Sequence, residues 1–253
     1  MRFPIITGHT GNDETAANSL DSVMKSISLG ADVFEVDVRR DENSILILSH
    51  HEQSQDIYDS CPRLAEVFEI VGKHTGIGIN CDLKDEDLPL EVANLATGYG
   101  IGPDRLIMTG LVAPSFLVKH PEVIQMANIY MNAENILEDI YFELVSGEKS
   151  QISQHTFYQN PWKYLREVIT GIEPYIDMLS EKYRQLGVKG MNLPYRSLTD
   201  EGIGEFKRNG IPLSVWTVND ETEMARFLKS GVVNLTTLDI STAKSVRKDL
   251  FGF

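Results

Sequence analysis

Apolar residues fall in short runs that alternate with longer stretches of helical periodicity along most of the chain. The short runs predict strands over 3–8, 32–38 and 45–49, bounded by Gly, Asp and Asn. A helix is predicted over 13–29, stopped by Gly30. Another follows over 62–71, where Leu64, Val67, Phe68 and Val71 recur at helical spacing. The rhythm continues with a strand over 76–83, a helix over 89–97 and a strand over 105–109. A short helix near 115–119 and a strand over 123–130 come next. Residues 132–186 interrupt it: 134–145 and 162–186 read as helical around a polar stretch, 147–160. This has the character of an enlarged connection, which often covers an active site. After Gly187 come strand 188–193, helix 199–209, strand 212–218, helix 221–229, strand 232–237 and a closing helix over 242–250.

Repeated strand–helix units imply a parallel sheet with helices outside it. A closed barrel and an open doubly wound sheet share this local pattern. The lack of a good nucleotide fingerprint favours the α/β TIM-type (β/α)8 barrel, since Gly98, Gly100 and Gly102 end a helix rather than follow a strand. At 253 residues the chain has the length of one such barrel. With no internal repeat, low-complexity tract or linker, residues 1–253 are expected to be a single domain.

The composition, 42% hydrophobic and 24% charged, fits a soluble protein with a large core. A formal charge of −14 argues against nucleic acid as a partner. An anionic small-molecule substrate would then need a local cation or metal. No window has the length of a membrane span, and Met1-Arg2-Phe3-Pro4 opens no signal-peptide core, so a cytoplasmic location is expected. Cys61 and Cys81, without a CxxC motif, are expected to be buried free thiols.

The chemistry concentrates in the first third. His9 ends the first strand, and Glu35 and Asp37 share one face of the second, because side chains two apart point the same way. Asp82 follows a later apolar stretch. Three carboxylates with few thiols suit Mg²⁺, Ca²⁺ or Mn²⁺ better than zinc, so one divalent cation is expected. The link from Asp37 to His50 is too short for a crossover helix, and Asp41-Glu42-Asn43-Ser44 suggests a hairpin. A turn centred between 42 and 43 brings His50 opposite position 35, to within about a residue. His51, as its neighbour on a strand, should face the other way. Two imidazoles beside a metal site can serve as general acid and base. Lys84 shares the side of Asp82 and could neutralise a phosphate oxygen, or be an ordinary surface lysine. Asn192 is a candidate for a pocket hydrogen bond, and Trp216 either lines a pocket or fills the barrel.

Taken in order, these residues resemble the glycerophosphodiester phosphodiesterase family. Its His-Arg-Gly reads here His9-Thr10-Gly11, and its Glu-Asn-Thr helix start reads Ala17-Asn18-Ser19. Its Glu-x-Asp is Glu35-Val36-Asp37, its His-Asp is His50-His51, and its Glu-x-Lys is Asp82-Leu83-Lys84. Near the end, Trp216-Thr217-Val218-Asn219 matches its Trp-Thr-Val-Asn stretch. The resemblance covers about residues 3–100 and 187–240. It implies a TIM-type barrel in which Glu35, Asp37 and Asp82 bind the metal, His9 and His50 are the acid–base pair, and Lys84 contacts phosphate. Thr10 takes the substrate-side position of the family's Arg, and a hydroxyl cannot supply a charged bidentate fork. The implied reaction is hydrolysis of a glycerophosphodiester to an alcohol and glycerol 3-phosphate. The two other expectations are a catalytically weakened barrel that binds a phosphorylated or polyol ligand, and a lyase-type enzyme that releases a cyclic phosphate.

Overall fold

The computed structural model describes residues 4–132, 180–181 and 184–252. It contains strands β1 (Ile5–Gly8), β2 (Val33–Arg40), β3 (Leu46–Leu48), β4 (Gly78–Leu83), β5 (Leu106–Gly110), β6 (Asn128–Asn132), β7 (Gly190–Pro194), β8 (Leu213–Trp216) and β9 (Asn234–Thr237). All but β3 are parallel and close into an eight-stranded barrel, with β1 paired to both β9 and β2. The α/β TIM-type barrel expected from the strand–helix rhythm is the fold observed. Among the described residues the helices are α1 (Leu20–Leu29), α2 (Gln55–Tyr58), α3 (Leu64–Lys73), α4 (Pro89–Gly98), α5 (Pro114–Lys119), α6 (Val123–Met126), α7 (Asp200–Arg208), α8 (Glu221–Ser230) and α9 (Ile240–Phe251). The enlarged connection, with the helices expected over 134–145 and 162–186, falls almost wholly outside the described residues.

Alternation along the strands sorts side chains into two layers. Ile6, Phe34, Val36, Ile79, Cys81, Met108, Ile129 and Leu235 join one core with Val23, Phe68, Val92, Phe227 and Ala243 of the helices. Each such aliphatic or aromatic side chain contributes about 1.5–3 kcal/mol by leaving water. The alternate residues point into the barrel, where Ile5, Val33, Ile107 and Tyr130 form a separate apolar plug. Gly190 makes room for it, since a Cβ there would lie 2.8 Å from the Tyr130 ring and 2.5 Å from the Pro212 carbonyl. The inward residues two positions further on, including Thr7, Glu35, Thr109, Asn132 and Asn192, are polar. The barrel is thus sealed at one end and hydrophilic towards the carboxyl ends of its strands.

Three local expectations need correction. The helix expected over 13–29 begins at Leu20: Asn18 adopts φ 54°, and the Ser19 hydroxyl caps α1 by accepting the Ser22 N–H at 3.1 Å. The strand expected over 123–130 is a helical turn, α6, followed by β6, an ambiguity inherent in short apolar runs. Cys61 is only half-buried, whereas Cys81 is buried as expected.

The β2–β3 hairpin exists, but Val38 pairs with Leu48 and Arg40 with Leu46, which centres the turn on residue 43. Asp41 sets that turn by accepting the N–H groups of Asn43 (2.9 Å) and Ile45 (2.7 Å). Burial acts to raise the Asp41 pKa, but the bonds from Ile45, Gln55 and Asn43 offset this and hold it below the usual carboxylate range. A depressed carboxyl pKa adds stability above the unfolded value, and that stability is lost as pH falls through the folded one. Asp41→Ala should therefore cost about 1–2 kcal/mol in urea unfolding at pH 7, with a smaller difference from the parent in acid.

Candidate active site

The carboxyl ends of the strands converge on a cavity of about 250 Å³. It is lined by His9, Glu35, Asp37, His50, Asn80, Asp82, Lys84, Thr109, Asn132, Asn192, Trp216 and Thr236. Every site residue expected from the sequence is on this wall except Thr10. That side chain is buried, with its hydroxyl bonded to Asn18 and its N–H donated to Glu35 Oε2 at 2.9 Å. Thr10 therefore reaches the site through its backbone, and its hydroxyl is spent on the β1–α1 loop.

Glu35 and Asp37 point inward from β2. Asp82 stands on the same rung as Asp37 in the neighbouring β4. One oxygen from each of the three lies within 4.8 Å of the others. Lys84 Nζ bridges Asp37 Oδ1 at 2.9 Å and Asp82 Oδ2 at 2.8 Å. Asn18 clamps Asp37 from the other side: its Nδ2 donates to Asp37 Oδ2 at 2.8 Å, and its Oδ1 accepts the Asp37 N–H at 3.0 Å. Among the described residues Asp82 Oδ1 is buried with no hydrogen bond of ordinary geometry, although the Thr109 hydroxyl is near enough to favour its charged form. Gly110 keeps the surroundings of Asp82 Oδ1 open, because a Cβ there would fall 2.3 Å from it.

The electrostatics follow from this crowding. Burial, reinforced by Asp37 and Asp82 and only partly relieved by His9, pushes Glu35 up to about 7. Burial also raises Asp82, against the pull of Lys84. Burial alone would depress the Lys84 ammonium, but Asp82 and Asp37 outweigh it and raise its pKa. One lysine therefore faces three carboxylates, and a buried carboxylate oxygen lacks an ordinary hydrogen bond. Hard oxygen donors with an under-bonded member and a surplus of negative charge fit a divalent cation.

His9 lies beside Glu35, with Nδ1 3.8 Å from Oε2. The same nitrogen is 2.7 Å from the Thr10 carbonyl, which can only accept, so Nδ1 carries the hydrogen and Nε2 is left for other work. His50 comes from beyond β3. Burial and the Lys84 charge lower its pKa. Its Nδ1 faces His51 Nδ1, and the strand alternation expected for this pair does not apply, because β3 ends at Leu48.

The far wall is neutral. Asn192 bonds Asn132 (3.0 Å) and Ser214 (2.8 Å), Ser214 bonds Asn234 (2.9 Å), and Asn234 accepts from Thr7 (2.7 Å). Asn80 and Thr109 pair with each other. The lining residues Asn80, Thr109, Asn132 and Thr236 were not singled out by sequence. Their only signal was a polar residue at an inward position two places from another inward residue.

The metal-free protein should lose stability as pH rises from 4.5 towards 7. The unfolded Glu35 carboxyl releases its proton near 4.5 and the folded one near 7, so the native state binds the extra proton across that window. A divalent cation should replace that proton and flatten the trend. At a hundred times its Kd it should add about 2.7 kcal/mol. Thermal unfolding with Mn²⁺ or chelator checks this, and Asp82→Asn should remove the cation response.

No family model matches the chain, and no curated protein matches it. Solved structures do. A glycerophosphodiester phosphodiesterase from Parabacteroides distasonis is 17% identical with a TM-score of 0.63, over 100% of this chain and 99% of that one. One from Agrobacterium tumefaciens is 14% identical with a TM-score of 0.64, over 95% and 99%. A phosphodiesterase from Oleispira antarctica, solved with the product sn-glycerol-3-phosphate, is 15% identical with a TM-score of 0.65, over 97% of each chain. At these identities the likeness establishes the barrel, along nearly the full length of each partner.

Proposed function

We propose that this protein is a metal-assisted phosphodiesterase that hydrolyses glycerophosphodiesters to an alcohol and glycerol 3-phosphate. The observation that carries the reading is the under-bonded, buried Asp82 oxygen in a cluster of three carboxylates, with His9 and His50 on the same cavity wall. The whole-length likeness to phosphodiesterases of this class, one of them holding sn-glycerol-3-phosphate, supports the same chemistry.

Glu35, Asp37 and Asp82 would hold the cation, which when bound stabilises charge on a non-bridging phosphate oxygen. Asn18 and Lys84 fix the orientation of Asp37, and Lys84 orients Asp82, so the donors are set before substrate arrives. One imidazole takes a proton from the attacking water while the other protonates the departing alkoxide. The Thr10 carbonyl fixes the His9 tautomer for such a role, leaving Nε2 to meet the substrate. The neutral amides and Trp216 supply the shape that receives the glycerol part.

A second reading has its own observation. Lys84 is the sole lysine or arginine among the described lining residues, and two carboxylates already hold it. Such a site grips phosphate weakly, in the manner of a barrel that binds a phosphorylated or polyol ligand with little turnover. Purified protein with Mg²⁺, Ca²⁺ or Mn²⁺, assayed on glycerophosphocholine and on a chromogenic diester, decides between the two. Turnover is expected, with His9→Ala and His50→Ala each lowering kcat by about 10²–10⁴ while circular dichroism is unchanged. Full activity in either variant would overturn the assignment. Phosphorus NMR should show glycerol 3-phosphate; a cyclic phosphate would mean lyase-type chemistry.

A further inference from the structure

His51 lies outside the cavity lining, yet its ring stays with that of His50. The two Nδ1 atoms are 3.3 Å apart, and the rings meet edge to face with centroids 4.4 Å apart and planes at 71°. Both residues are exposed, so an ion with its waters can reach them. In the neutral pair one Nδ1 donates a hydrogen to the other. Two imidazole nitrogens, each about 2.05 Å from zinc at the tetrahedral angle, are also about 3.3 Å apart. The pair therefore already has the bite of a chelate.

We propose that His50 and His51 form a two-nitrogen site for a borderline transition-metal ion of the zinc, copper(II) and nickel class. Water completes its coordination. The site is distinct from the carboxylate cluster in donor type: imidazole selects these ions, whereas three carboxylates accept hard cations such as Mg²⁺ and Ca²⁺. Binding is balanced in protons. The ring whose Nδ1 carries the hydrogen shifts it to Nε2, both Nδ1 lone pairs turn to the ion, and two neutral imidazoles ligate without net proton release. The formal charge of −14 favours approach of the cation. A bound ion would occupy His50 and block its proton transfer; this inhibition, unlike the binding, rests on the function proposed above.

The test is a competition titration with Zn²⁺ against a chromogenic chelator in excess Mg²⁺, on the full chain, His51→Ala and Asp82→Asn. Copper(II) paramagnetic resonance on the same samples counts coordinated nitrogens. The expected result is a zinc site that survives Asp82→Asn and weakens at least tenfold in His51→Ala. The copper spectrum should show two nitrogens in the parent and fewer in His51→Ala. Unchanged zinc affinity and an unchanged nitrogen count in His51→Ala would overturn the proposal. If Asp82→Asn fails to fold, the copper comparison of parent and His51→Ala decides alone. In turnover assays, half-inhibition by Zn²⁺ should need at least tenfold more ion in His51→Ala. A protein with no phosphodiesterase activity would remove the function but leave the binding result intact.

Discussion

Three carboxylates held within 4.8 Å of one another at the mouth of a barrel are the constraint to which the surrounding structure answers. Uncompensated, such a cluster would drive its members to protonate, and the raised Glu35 shows part of that response. The remainder is met by Lys84 between two of the carboxylates, the Thr10 N–H on Glu35 and the Asn18 amide on Asp37. Lys84 and Thr10 sit just past the ends of their strands, and Asn18 sits just before α1, so all three lie on connections. The loops are consequently tied to the charges of the site.

That tie accounts for the irregular β1–α1 segment. Continuing α1 back to residue 13 would place Asn18 inside a helix, where it could not face β2. Its left-handed conformation instead turns the amide to meet both the backbone and the carboxylate of Asp37. Asn12 anchors the same loop by donating to the hydroxyl of Ser26. Propensity yields here to electrostatic need.

The barrel was legible because period-two alternation is rigid. Glu35 and Asp37 had to share a face, and the parallel register then brings Asp37 level with Asp82. The hairpin was legible to one residue, since the turn centre depends on Asp41 capping two later N–H groups, a three-dimensional choice. The direction of Thr10 was beyond reach for a similar reason. A residue just past a strand faces wherever its loop sends it, and here the loop sends it to Asn18. Apart from Asn192, the neutral wall went unread because a lone Asn or Thr in a strand carries little signal. Only the closure of the sheet reveals that Asn132, Asn192, Ser214 and Asn234 share one rung across four consecutive strands.

Those four residues divide the interior into two provinces. On one side, β1, β2 and β4 carry the ionisable groups; on the other, β6 to β9 carry amides and hydroxyls that satisfy one another. Because the described cavity-lining residues of the second province carry no titratable group, they can change size or polarity while the ionised side keeps its charge balance. The charged and the neutral halves of the barrel are thus separable, and evolution can revise one without rewriting the other.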